Sequence, residues 1–274
     1  MTEQQAADEH GEGDPEGRAS LSVFGAEFDL ARTDAPLRPY VICASPRSGS
    51  TLLTTLLHGT GRMGVPAEYF NPRFLQPALG RRFGVSADGA RVVGGDYLDA
   101  LIRHRTAANG VFGVKILLSQ VQTWMIVPSF RRFLSHATFL WLRRRDKQAQ
   151  ALSMVMAQTT QVWHRERDSE AVEAVPAFNA AQLRRAQGII LAEDFGWSQF
   201  FAINRVRPIS VQYEDLVADP DPPCRALAEA VGVRDLPPLT MERAITRPTS
   251  GAANEAWRRQ WRQSLRFRRP PSAR

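Results

Sequence analysis

The sequence predicts an α/β fold: one domain built on a parallel sheet, with helices on both faces. Three observations carry this. Four short apolar runs recur along the chain, separated by stretches long enough to hold helices. The first three runs are largely apolar rather than alternating, the mark of strands covered on both faces. The first run turns through a tight polar loop straight into a helical pattern. At 274 residues the chain can enclose one large core.

Taken in order, residues 1–20 carry Glu3, Asp8, Glu9, Glu12, Asp14 and Glu16 with little apolar material, and read as a disordered acidic tail. Residues 21–36 are a lead-in whose Val23, Phe24, Phe28 and Leu30 can pack against a body. Together, residues 1–36 precede a domain expected over 37–262, and 263–274 form a basic tail. Tyr40 to Ala44 is the first buried strand, followed by Leu52, Leu53, Leu56 and Leu57 at helical spacing. Val111–Ile116 and Thr138–Leu142 are the second and third strands. The third is followed by a helix through Ala149, Leu152 and Met156. Pro208–Tyr213 is the fourth strand, ending in Glu214-Asp215-Leu216, and 223–231 is a helix. The arginine-rich end from Arg258 starts as a helix and frays.

Composition narrows the function. The net charge is +7, so an anionic partner is expected. Nearly all the cations are arginines, Lys115 and Lys147 being the only lysines. No zinc-finger spacing, RNP motif or basic zipper supports a nucleic-acid partner. No apolar run reaches the roughly 18 residues of a membrane span, and the acidic start does not resemble a signal peptide. Cys43 and Cys224 lie far apart, without metal-ligand spacing. These features point to a cytoplasmic protein without a metal.

The strongest local signal is Ala44-Ser-Pro-Arg47-Ser48-Gly49-Ser50-Thr51. A strand turning tightly into a helix exposes backbone N–H groups at the helix N-terminus, and with the helix dipole these form an anion site. Gly49 permits a backbone conformation other residues resist, and Ser48, Ser50 and Thr51 add hydroxyl donors. Against a Walker A loop, Gly49 and Thr51 fall on the second Gly and the Ser/Thr, but Ser50 replaces the lysine. The loop is P-loop-like, with its positive charge moved inward to Arg47. A serine-rich turn capping an ordinary helix is the bland alternative.

With these residues in place, the chain resembles the PAPS-dependent sulfotransferases (PAPS is 3′-phosphoadenosine-5′-phosphosulfate). It is most similar to the bacterial carbohydrate group typified by trehalose 2-sulfotransferase. Gly64-Val-Pro-Ala-Glu68-Tyr69-Phe70 resembles a segment of that group whose glutamate serves as general base. The resemblance implies transfer of a sulfuryl group from PAPS to a hydroxyl of a carbohydrate, a carbohydrate-bearing metabolite or a glycolipid. It also implies a homodimer. Arg47 and loop residues Ser48, Gly49, Ser50 and Thr51 would hold the 5′-phosphosulfate side. Arg145 and Ser153, eight residues apart, match the family's 3′-phosphate pair, with Arg143 and Arg144 open as alternatives. Gly113-Val-Lys115 resembles a family strand, which leaves Lys115 either near the transferred group or an ordinary strand-end lysine. Gln161-Val-Trp163 resembles a segment near the substrate. Arg247 resembles a residue that covers the nucleotide, although Pro248 stands where the family has Gln.

The implied chemistry is in-line displacement at sulfur, needing alignment and charge stabilisation. Glu68 among several arginines is expected to stay ionised and act as the base, with His58, His104 and His164 as rivals. Two other functions compete: a nucleotide kinase, which lacks its lysine at position 50, and a non-catalytic anion- or nucleic-acid-binding protein using the arginine-rich tail.

Overall fold

A computed structural model describes residues 23–31, 33–85, 94–161, 163, 177–243 and 252–264. The sheet is formed by β1 (Arg38–Ala44), β2 (Val111–Ile116), β3 (Thr138–Arg143) and β4 (Ile209–Gln212) in the order β2-β1-β3-β4. Every pairing is parallel, with Ile42 opposite both Lys115 and Leu140, and Leu142 opposite Val211. All four strands therefore end on the same edge. In open parallel sheets that edge is where ligands bind.

Alternation along β1 divides the core. Val41 and Cys43 face a cluster with Phe112, Val114, Ile116 and Phe139. That side is covered by α3 (Gly95–Arg105), α4 (Leu118–Trp124), α5 (Pro128–His136) and the C-terminal half of α7 (Ala180–Ile203). Tyr40 and Ile42 face the other way, with Leu140, Leu142 and Val211. There they meet α1 (Ser50–His58), α8 (Tyr213–Ala218) and α9 (Asp221–Ala230). Burial on both faces is why β1, β2 and β3 read as largely apolar runs, while β4, with Ser210 exposed, alternates.

The remaining helices are α2 (Leu75–Arg82), α6 (Lys147–Thr160) and α10 (Ala252–Ser264). Trp257 and Trp261 pack α10 onto α6 and α7, beside Leu152, Val155 and Ile190. Local chemistry sets several helix starts. Asp146 caps α6 by accepting from Ala149 N at 2.8 Å, and Asn179 caps α7 by accepting from Ala181 N and Gln182 N. Pro128 opens α5, where a missing N–H costs nothing.

The segment Tyr213-Glu-Asp-Leu216, expected as a strand end, instead begins α8. Glu214 and Asp215 lie in its first turn, where the helix dipole favours acids. The acidic residues 1–20 and the C-terminus after Ser264 lie outside the described residues.

Candidate active site

The polar loop leaves β1 at Ala44 and enters α1 at Ser50. Arg47 has φ 62° and Gly49 φ 92°. These left-handed conformations turn the chain sharply and leave the first amides of α1 without intrahelical partners. Two side chains from elsewhere pin the loop. Trp197 Nε1 donates to Ala44 O at 3.1 Å. Gln150 Nε2 donates to Ser45 Oγ at 2.9 Å and to Pro46 O at 2.8 Å. Neither was evident from sequence. Gln150 lies three residues before Ser153 on the same face of α6, a helical spacing that could have found it. Nothing local marks Trp197.

Arg47 is partly buried. Its Nε donates to Ser153 Oγ at 2.9 Å, and its Nη1 donates to the carbonyl of Trp163. Burial lowers its pKa to about 10, with the Arg144 charge adding to the effect. It remains cationic at neutral pH. Ser48 Oγ is buried without a hydrogen-bond partner. A buried hydroxyl left open beside two mutually repelling guanidiniums fits an anionic ligand.

The three consecutive arginines after β3 diverge. Arg143 stacks over Trp141 at 4.2 Å and donates to Ser210 Oγ at 2.8 Å. Arg144 stacks over the Tyr213 ring at 4.6 Å, and that ring lies against Gly49. Arg145 is directed outward, paired with Asp215, and about half exposed. Ser153 thus sits with Arg47, and Arg144 is the arginine that approaches the loop. The family resemblance pairs Ser153 with Arg145 and leaves Arg143 and Arg144 open as alternatives.

Glu68 arises on the other side of β1. Residues 65–67 run beside β2: Ala67 bridges Val114 in parallel, and Lys115 N donates to Ala67 O at 2.9 Å. This register sets Glu68 next to Lys115. Glu68 Oε2 meets Lys115 Nζ at 2.6 Å. Oε1 accepts from Asn71 Nδ2 at 2.9 Å and from Gln120 Nε2 at 2.8 Å. Buried Tyr69 and Phe70 anchor the segment. Tyr97 Oη donates to Tyr69 O at 2.8 Å, and Phe70 packs on Trp124 and Phe130. Gly113 is required here too, because a Cβ would lie 2.1 Å from the Tyr40 ring.

Burial acts to raise the Glu68 pKa. The Lys115 charge and the three hydrogen bonds outweigh it, so the carboxyl stays below its ordinary value of 4.5. The cation that achieves this is Lys115, not the arginines expected from sequence. Glu68 also lines a cavity of about 400 Å³ with Asn71, Arg73, Ser119, Gln120 and Thr123. The rival bases lie elsewhere. His58 Nδ1 is 3.4 Å from Gly64 O beside the Phe28 ring, and His104 stacks on Phe83 near Asp29. His164 and Arg247 are outside the described residues.

A lysine-free loop thus follows β1 at the carboxyl edge of the parallel sheet, and a carboxylate–lysine pair stands on the neighbouring strand β2. The Stf0 sulphotransferase family model matches residues 39–264. The chain belongs to that family and is a sulfotransferase. Among curated relatives, trehalose 2-sulfotransferase of Mycolicibacterium smegmatis is 26% identical over 226 residues, covering 70% of this chain and 81% of the relative. Trehalose 2-sulfotransferase of Mycobacterium tuberculosis is 28% identical over 214 residues, covering 65% and 78%. Among solved structures, the sulfotransferase domain of the Synechococcus olefin synthase aligns with TM-score 0.45 and 18% identity, covering 89% of this chain and 93% of that one. Among the described residues no helix is long and apolar enough to cross a membrane.

Proposed function

We propose that the protein transfers a sulfuryl group from PAPS to a hydroxyl of a carbohydrate or carbohydrate-bearing metabolite. One observation carries the reading. Adjacent parallel strands end on one edge with the Arg47 loop after β1, Lys115 with Glu68 at the end of β2, and Arg144 after β3. Anion-binding groups and a carboxylate are thereby gathered at one edge. Trehalose 2-sulfotransferases among the relatives favour a sugar acceptor, and the polar lining of the cavity beside Glu68 suits hydroxyls.

In this reading the loop amides, Arg47, Ser48, Gly49, Ser50 and Thr51 hold the 5′ side of the donor. Ser153 and the arginines after β3, Arg144 foremost and Arg145 with it, hold the 3′-phosphate, and Arg247 covers the nucleotide. The acceptor hydroxyl attacks sulfur. Its oxygen–sulfur bond forms as the bond from sulfur to the leaving phosphate oxygen breaks. The electron pair departs with adenosine 3′,5′-bisphosphate, and the hydroxyl proton passes to Glu68. Arg47 and Lys115 offset the charge that spreads over the transferred group. Proton removal by Glu68 is worth about 10²–10⁴-fold. No metal is called for, because a sulfate ester carries less charge than a phosphate. Two buried free cysteines suit a reducing cytoplasm.

The test is calorimetric titration of adenosine 3′,5′-bisphosphate, ATP and 5′-AMP into wild type, Arg144→Ala and Arg145→Ala. The bisphosphate should bind far more tightly than the other two. Loss of a charge-assisted phosphate contact in Arg144→Ala should weaken it about 10–100-fold. If ATP binds and the bisphosphate does not, a nucleotide kinase replaces this reading.

A further inference from the structure

We propose that Asn71 and Gln120 are positioning residues that occupy Glu68 Oε1 and so dedicate Oε2 to taking the acceptor proton. The inference rests on Glu68 being the base, as read above, and specifies which of its atoms reacts.

A carboxylate oxygen offers two lone pairs. Both on Oε1 are engaged, by Asn71 Nδ2 at 2.9 Å and Gln120 Nε2 at 2.8 Å. Oε2 receives Lys115 Nζ at 2.6 Å, which leaves it one lone pair. The two amides cannot exchange their ends, because each oxygen is already used. Asn71 Oδ1 accepts from Arg73 N at 3.0 Å, and Gln120 Oε1 accepts from Leu117 N at 3.1 Å. Their NH₂ groups are therefore fixed toward Glu68.

Gln120 is held in turn by its helix. Glu193 of α7 accepts from Leu118 N at 2.8 Å and Ser119 N at 3.4 Å at the start of α4. Glu68, Asn71 and Gln120 share the wall of the cavity. The carboxylate plane is thus set before any acceptor arrives, with Oε2 toward Lys115. A base held in one orientation avoids the cost of ordering it in the transition state.

The charged groups around Glu68 are Lys115 from β2, Arg73 from the cavity wall and Glu193 behind the start of α4. Neither amide titrates, so replacing one removes a donor to the ionised form without removing a charge. Each such donor favours ionisation.

The test titrates the full chain carrying ¹³C-carboxyl glutamate by NMR, with the Glu68 signal identified by its absence in Glu68→Gln. Asn71→Ala and Gln120→Met should each raise the Glu68 midpoint by about one pH unit, and the double variant by more. In parallel, bisphosphate release from PAPS is measured with trehalose as the acceptor probe. The amide variants should lose more rate than wild type at pH 5 relative to pH 7.5, by up to about threefold for a one-unit rise from just below 4.5, with KM for PAPS unchanged. Asn71 is partly exposed, so its variant serves if Gln120→Met does not fold. Unmoved midpoints overturn the clamp while leaving the base assignment intact. Wild-type turnover in Glu68→Gln overturns the base assignment, and the positioning role with it.

Discussion

Gly49 shows how one residue ties the loop between β1 and α1 to the rest of the molecule. At φ 92° it occupies the left-handed region, and a Cβ there would fall 2.2 Å from Cδ2 of Tyr213. Tyr213 in turn carries the Arg144 guanidinium at 4.6 Å. Gly49→Ala therefore costs about 1–2 kcal/mol in backbone strain and displaces the ring that supports Arg144, the arginine proposed to meet the 3′-phosphate. The expected outcome is a fall in Tm of several degrees, with about tenfold weaker binding of adenosine 3′,5′-bisphosphate. A variant that keeps wild-type affinity would show that the ring does not position Arg144. Gly49 was legible in the sequence because a strand-to-helix turn needs such a residue at a fixed place. The partner of Ser153 was not. Spacing along a helix gives the face on which a side chain lies, but the direction of three arginines leaving a strand is decided by what they stack on or pair with. Here that is Trp141, Tyr213 and Asp215 respectively.

At the scale of elements, β1 to β3 could be read because burial on both faces leaves a largely apolar signature, whereas β4 shows only the alternation of Ile209 and Val211 with polar residues. The short helices were harder. α4 is seven residues long and gives little periodicity, yet it delivers Gln120 to Glu68. Its stability is borrowed from a residue 75 positions away: Glu193, whose carboxylate caps the Leu118 and Ser119 amides. Such a long-range cap leaves no local pattern, which is why the surroundings of Glu68 were less legible than Glu68 itself. Glu193→Ala removes an N-terminal acceptor worth about 1 kcal/mol. Amide hydrogen exchange in α4 should quicken several-fold, while exchange in β1 and β3 stays as in wild type. Equal acceleration everywhere would mean that the residue acts through global stability and not through α4.

Over the whole molecule, the lead-in that composition separates from the body supplies one of its deepest ion pairs. Arg105, at the end of α3, is fully buried. It pairs with Asp29, which also binds Arg82, and it donates to Val23 O at 3.1 Å. One carboxylate therefore joins residues 23–31 to α2 and α3. Burial acts to raise the Asp29 pKa, but hydrogen bonds and charge from Arg82 and Arg105 hold it below 3.8. An acid whose folded pKa is lowered adds stability above its unfolded pKa, and this is lost as pH falls through the folded value. Asp29→Asn should cost about 3 kcal/mol at neutral pH, because a buried guanidinium loses its carboxylate. The gap between variant and wild type should then narrow as pH falls below 3.8, since the wild-type carboxyl is itself becoming neutral. Thermal melts from pH 7 down to the acid transition check this. Glu68, Glu214 and Asp221, also held low, are common to both proteins and cancel in the difference. Curves that run parallel through the acid range would mean that the Asp29 charge is not what holds Arg105 in place. The lead-in would then be retained by the packing of Val23 against the core.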